Sequence, residues 1–123
     1  MSQVEPKLYA LLTADPTVSA IVGARVYPMV MPQRATFPAV TYFRVSGGQQ
    51  NTLDGYSGTE NPRIQVDCWA KKYADVKALA AAIRAAMDGA TTFRALCISD
   101  RDLYEDDADL FRVLLEFSCW NKE

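Results

Sequence analysis

The sequence predicts an α+β fold: a mainly antiparallel sheet of about four to five strands against one long helix, with short helices at the N-terminus. Three observations carry this. Within residues 63–89 (RIQVDCWAKKYADVKALAAAIRAAMDG) the hydrophobic period changes from two to about 3.6 residues. Residues 39–45 (AVTYFRV) and 110–120 (LFRVLLEFSCW) are rich in β-branched and aromatic side chains, as strands are. The first 22 residues repeat leucine and valine at helical spacing around an Asp-Pro break. At 123 residues and 50% hydrophobic content, one domain spanning 1–123 can bury a core without disulfide or metal.

In chain order, residues 6–14 (PKLYALLTA) place Leu8, Leu11 and Leu12 on one face, with Pro6 near the first helical position. Asp15 and Pro16 interrupt that helix, and a second short turn over 17–22 ends at Gly23. Residues 25–30 (RVYPMV) read as a brief strand that Pro28 confines to an edge. An extended connection with Pro32 and Pro38 leads to the strand at 39–45.

Residues 46–61 (SGGQQNTLDGYSGTEN) carry four glycines, with Leu53 and Tyr56 the large apolar side chains. Sixteen residues without periodicity are uncommon inside a compact domain. Two readings are open: a loose hairpin loop joining two strands, or a loop that orders against a partner. The second makes Gln49, Gln50, Asn51, Leu53, Asp54 and Tyr56 candidate protein-contact residues.

In the next strand Ile64, Val66, Cys68 and Ala70 alternate with Arg63, Gln65, Asp67 and Trp69. The helix at 73–88 then aligns Tyr73, Val76, Leu79, Ala80, Ile83, Ala86 and Met87 opposite Lys77, Ala81, Arg84 and Asp88. Seven of its sixteen residues are alanine, so its backbone can approach the sheet closely, and Gly89 stops it. Strands follow at 92–99 and 110–120. In the last, Phe111, Val113, Leu115, Phe117 and Cys119 share the core face. Leu114 and Trp120 make the other face too apolar for solvent alone, so it is expected to meet a helix or another subunit.

Between those strands, residues 100–109 (DRDLYEDDAD) hold six carboxylates in ten. The spacing is not that of a calcium loop, which needs a central glycine and a glutamate at its twelfth position. A solvated hairpin turn kept off neighbouring sheet edges by its charge is the expectation. Asp102, Glu105, Asp106 and Asp107 are secondary candidates for a contact or charge-repelling surface.

Composition excludes several chemistries. The chain has no histidine, which removes Ser-His-Asp and Cys-His catalysis, His-ligated zinc and the usual near-neutral base. Cys68, Cys97 and Cys119 are too scattered for a zinc site and fall on apolar strand patterns, as buried thiols in a reducing compartment would. No phosphate-binding glycine motif occurs. A net charge of −2 argues against general affinity for nucleic acid. The N-terminus lacks a signal-peptide pattern, and no apolar run reaches membrane-spanning length, so a soluble product is expected. No catalytic, metal or cofactor site is assigned.

From about Glu5 to Trp120 the chain resembles a family of small phage and prophage tail proteins, similar to tail-terminator and tail-completion (head–tail joining) proteins. The resemblance is carried by residues 8–28 (LYALLTADPTVSAIVGARVYP), 38–42 (PAVTY), 52–58 (TLDGYSG), the strand–helix unit at 63–89, and 102–120 (DLYEDDADLFRVLLEFSCW). It implies a structural, non-enzymatic protein. Such proteins form a ring, typically of six copies, on the end of the tail tube. The implied partners are other copies of the chain, the tube protein and a head-side connector. The implied location is host cytoplasm during assembly and then the virion tail. The rival readings are a small α+β protein-binding module of a prophage-encoded complex and a carboxylate-and-metal hydrolase.

Overall fold

The chain, seen here as a computed structural model, is described at residues 4–46, 49–52 and 55–122, by backbone alone at 49–52, 55–59 and 122. Ten elements follow one another. They are α1 (Val4–Ala14), α2 (Pro16–Val22), β1 (Val26–Pro28), β2 (Ala39–Ser46), β3 (Gln49–Thr52), β4 (Gly55–Glu60), β5 (Arg63–Ala70), α3 (Tyr73–Asp88), β6 (Arg94–Glu105) and β7 (Leu110–Lys122).

The α1–α2 break is local chemistry. The Asp15 carboxylate accepts hydrogen bonds from the Thr17 and Val18 amides, both at 3.0 Å, and Pro16 occupies the first turn of α2. Gly23, at φ +58° and ψ −125°, takes a positive-φ conformation open to glycine and ends α2. Helix α1 starts at Val4, two residues earlier than the proline suggests, and proline is tolerated in a first turn.

Seven strands are linked in one sheet: β1-β2-β5-β7-β6 form its body, and β4, with β3 beside it, joins at the end of β7. The α+β class holds, with one correction: the sheet is mixed, because β1 runs parallel to β2. β2–β5, β5–β7 and β6–β7 are antiparallel. Three helices, not one long helix alone, contribute to the core. Val4, Leu8 and Leu12 of α1, Val18 and Val22 of α2, and Val76, Leu79, Ile83 and Met87 of α3 are all buried. They share one cluster with Ile64, Val66 and Cys68 of β5 and Val113, Leu115 and Phe117 of β7. Ala80 and Ala86 on α3 are small enough to bring that helix close to the strands. Tyr73 departs from the expected stripe: it is 49% exposed.

Within the segment expected as a loose loop, Gln49–Thr52 and Gly55–Glu60 are strands, a second correction. β3 pairs antiparallel with β4. The pairs Gln49↔Glu60 and Ser46↔Arg63 share one register, so β2 and β3 face β4 and β5 as one long hairpin. Likewise Glu60↔Asn121 continues the register of Arg63↔Ser118, and β4 extends β5 along the end of β7 past a break at Asn61 and Pro62. Leu53 and Asp54 lie outside the described residues.

Candidate functional site

Three surfaces carry the sequence-level candidates. The first is the acidic segment, which is mostly strand and only partly turn. β6 continues to Glu105, and the turn is left with residues 106–109. The carboxylates that become strand residues are engaged within the chain. Asp102 accepts a hydrogen bond from the Tyr73 hydroxyl at 2.6 Å and lies 3.2 Å from Lys77 Nζ. These two donors hold the Asp102 carboxyl below its ordinary value, the tyrosine contributing most. Asp100 pairs with Arg84 at 3.1 Å and Glu105 with Arg112 at 3.0 Å. Asp106 and Asp107 stay exposed at the tip, with no ion pair among the described residues. The Tyr104 hydroxyl donates to Asp109, which raises the phenol's pKa. The described residues hold no cluster of metal-ligating side chains.

The second is the β3–β4 hairpin. It places Gln49, Gln50 and Asn51 on β3 and Tyr56 on β4. Its root is polar and buried. Glu60 and Asn121 are 1% and 3% exposed. Asn61 Nδ2 donates to the Cys119 carbonyl at 2.6 Å and to Ser118 Oγ at 3.1 Å. Lys7 of α1 reaches Asn121 Oδ1 at 2.6 Å and the Thr92 carbonyl at 3.2 Å. The projecting strands are therefore anchored to β7, whose end Lys7 ties to α1.

The third is the sheet face turned away from the core cluster. Strand alternation brings Phe43, Gln65, Asp67, Trp69, Arg112, Leu114, Glu116 and Ser118 to it, most of them half-buried. At its corner Trp120 is 37% and Leu96 56% exposed. At its centre Arg112 bridges Asp67 at 2.8 Å and Glu105 at 3.0 Å, and its guanidinium sits 4.8 Å from the centre of the Trp69 ring. Trp69 Nε1 in turn donates to Thr41 Oγ1 at 3.0 Å. Among the described residues, the strand β6 that borders this face pairs on one side only, with β7.

The sequence matches the family model for tail completion protein gp17 over residues 6–122. The chain belongs to the tail completion protein family. It is accordingly a structural protein of phage tails. The fold recurs in a chain from the virion of a native gene transfer agent particle, with a TM-score of 0.76 and 22% identity, covering 94% of this chain and 92% of that one. No curated protein matches it.

In this tail completion protein the eight contact candidates among the described residues fall on two segments: Gln49, Gln50, Asn51 and Tyr56 on β3 and β4, and Asp102, Glu105, Asp106 and Asp107 on β6 and the turn after it. What sequence reading missed is the charged bridge of Asp67, Arg112 and Glu105. Its signal was present: Asp67 and Arg112 alternate with core residues on two strands that turn out to be neighbours. Also missed is a tyrosine-lined cleft beside α1. Two of the thiols are buried and one is half-buried. Burial pushes Cys119 up to about 12 and raises Cys68 further, keeping both protonated.

Proposed function

We propose that this protein completes the tail by forming a ring of its own copies on the end of the tail tube, and that the ring joins tail to head. The observation that carries the reading is the family match across nearly the whole chain, residues 6–122. The surfaces suit the task. A closed ring needs two different patches on every copy. The half-exposed apolar sheet face beside the free edge of β6 is one, and the projecting β3–β4 hairpin is a second. Six copies is the number the family resemblance implies. The partners are the tube protein on one side and a head-side connector on the other. Assembly takes place in host cytoplasm, the completed ring remains in the virion, and no bond is made or broken by the protein.

The acidic tip fits the same picture. Asp106 and Asp107, exposed and without ion pairs among the described residues, repel DNA phosphates if the turn lines the conduit.

Electron microscopy of particles made without the gene tests the role: overlong or unattached tails are expected. Complementation with a chain lacking residues 49–56 tests the hairpin. That deletion removes β3 and the start of β4 but leaves the Glu60 pairing and the Asn61 hydrogen bonds to β7 in place, so thermal stability stays nearly intact while joining is lost. Normal virions from the shortened chain would exclude the hairpin as a contact. Ordinary particles without the gene would exclude the tail role itself.

A further inference from the structure

Among the described residues three strands of the sheet pair on one side only: β1, β3 and β6. They are not equally open to a further strand. β1 has three residues and ends at Pro28, which has no N–H to offer. The second half of β6 carries Asp100, Arg101, Asp102 and Glu105, and charge along an edge deters another strand. A bulge between Cys97 and Ser99 separates that half from the first. What stays open on β6 is Arg94–Cys97, with one charge and no proline, next to the exposed side chains of Leu96 and Trp120. The edge of β3 is open as well: its sequence, QQNT, has neither charge nor proline.

The two open edges are matched in place and direction. β3 continues β2 and β4 continues β5, so the free side of β3 and the free side of β6 lie on opposite flanks of one sheet. Gln49 faces Glu60, Glu60 faces Asn121, and Arg94 faces Trp120, so the two strands begin within one residue of the same level. Three antiparallel pairings separate β2 from β6, and β3 therefore runs opposite to β6.

We infer that β3 of one copy pairs antiparallel with Arg94–Cys97 of the next, so that the sheet continues from subunit to subunit. The inference rests on the ring reading and says how its two patches meet. Rotation about a ring axis keeps strand direction, so the β3 of a neighbouring copy arrives antiparallel to β6, as β7 does on its other side. The start of β3 then comes level with the start of β6, and a tilt of the strands to the axis supplies the stagger for overlap, as in a closed barrel. Main-chain hydrogen bonds do the joining, and the incoming hairpin covers Leu96 and Trp120. Pairing of β6 with a second β6 would be two-fold and would stop at a dimer, whereas β3 on β6 leaves one open edge at each end until the ring closes.

The test uses joined particles made with full-length variants. The background is Cys97→Ser, which leaves the buried Cys68 and Cys119 as the native thiols. Leu96→Cys is combined in turn with Gln49→Cys, Gln50→Cys, Asn51→Cys or Thr52→Cys, and the particles are oxidised with copper phenanthroline. Residues facing each other across two strands come within reach of a disulfide, and neighbours along a strand point to opposite faces. One β3 position should therefore link strongly and give a ladder beyond the dimer on a non-reducing gel, while the positions flanking it do not. Ile98→Cys, exposed on the same edge, replaces Leu96→Cys wherever the latter lowers joining. Equal linking at all four positions, or none with either anchor, overturns the inference. Dimers from Leu96→Cys alone overturn it too, because they mean that β6 pairs with itself. An amine cross-linker on the same particles separates the inference from the reading it rests on. A lysine-linked ladder without the disulfide ladder keeps the ring and removes the strand pairing, and the absence of both removes the ring as well.

Discussion

Asp67 sits on the sheet face away from the core cluster, yet its side chain is 4% exposed, and its ionic partner is Arg112 at 2.8 Å. Burial works against the charge on Arg112, but hydrogen bonds to Asp67 and Glu105 outweigh it and raise the guanidinium's pKa. Such a pair adds little net stability over an apolar pair of similar volume, because both charges leave water. Breaking it is different. Arg112→Ala leaves the buried Asp67 carboxylate with Gln65 Nε2 as its remaining side-chain donor among the described residues and removes the plane lying on Trp69, so a loss of about 2–4 kcal/mol is expected. The double variant Asp67→Leu, Arg112→Met should recover most of that loss. Urea denaturation of the two variants decides the matter. Equal destabilisation in both would mean that packing around Trp69, and not the stranded charge, dominates.

At the scale of elements, β5 and α3 were legible in the sequence because each has one face that must be buried, and burial imposes a period. Ile64, Val66 and Cys68 alternate, Val76, Leu79 and Ile83 recur at helical spacing, and all six are 0% exposed. The β3–β4 hairpin was not legible for the converse reason. Its strands extend β2 and β5 past the core, so backbone pairing holds them and no apolar repeat marks them. The same holds for the second half of β6, where Asp100 and Asp102 occupy positions opposite Leu115 and Val113. Their carboxylates stay exposed yet pair with Arg84 and Lys77 of α3, which a local reading of charge cannot foresee. The contact at Asp102 is pH-dependent in a defined direction. Its folded carboxyl lies below the ordinary 3.8, so the stabilisation is fully present above that value and fades as pH falls through the folded pKa. With both partners exposed the effect is small. An NMR titration should give an Asp102 midpoint below 3.8, and the stability difference between wild type and Asp102→Asn should close as pH drops through it. A midpoint at or above 3.8 would mean that Tyr73 and Lys77 do not hold Asp102 in solution.

For the whole molecule the decisive asymmetry is between the sheet's two faces. The face toward the core is filled by side chains from three helices, and the other leaves aromatic and aliphatic groups half-exposed, up to Trp120 at 37% and Leu96 at 56% on its corner. An exposed apolar patch of this kind bordered by a free strand edge is costly for a lone chain and useful for an assembling one. Placing charge there separates the two roles. Leu96→Glu with Trp120→Glu removes apolar surface that contributes little to the chain's own core, so unfolding should change by no more than about 1 kcal/mol. The same substitutions would force two carboxylates into any interface that covers the corner, and joined particles should be lost on complementation. Ala81→Glu, on the exposed side of α3, is the control: it adds equal charge per residue away from that face and should leave joining intact. If the double variant assembles normally, copies meet through the helical side and the open sheet face is turned to solvent. If the control alone fails, the contact surface is α3, and β6 with its free edge faces away from the joint.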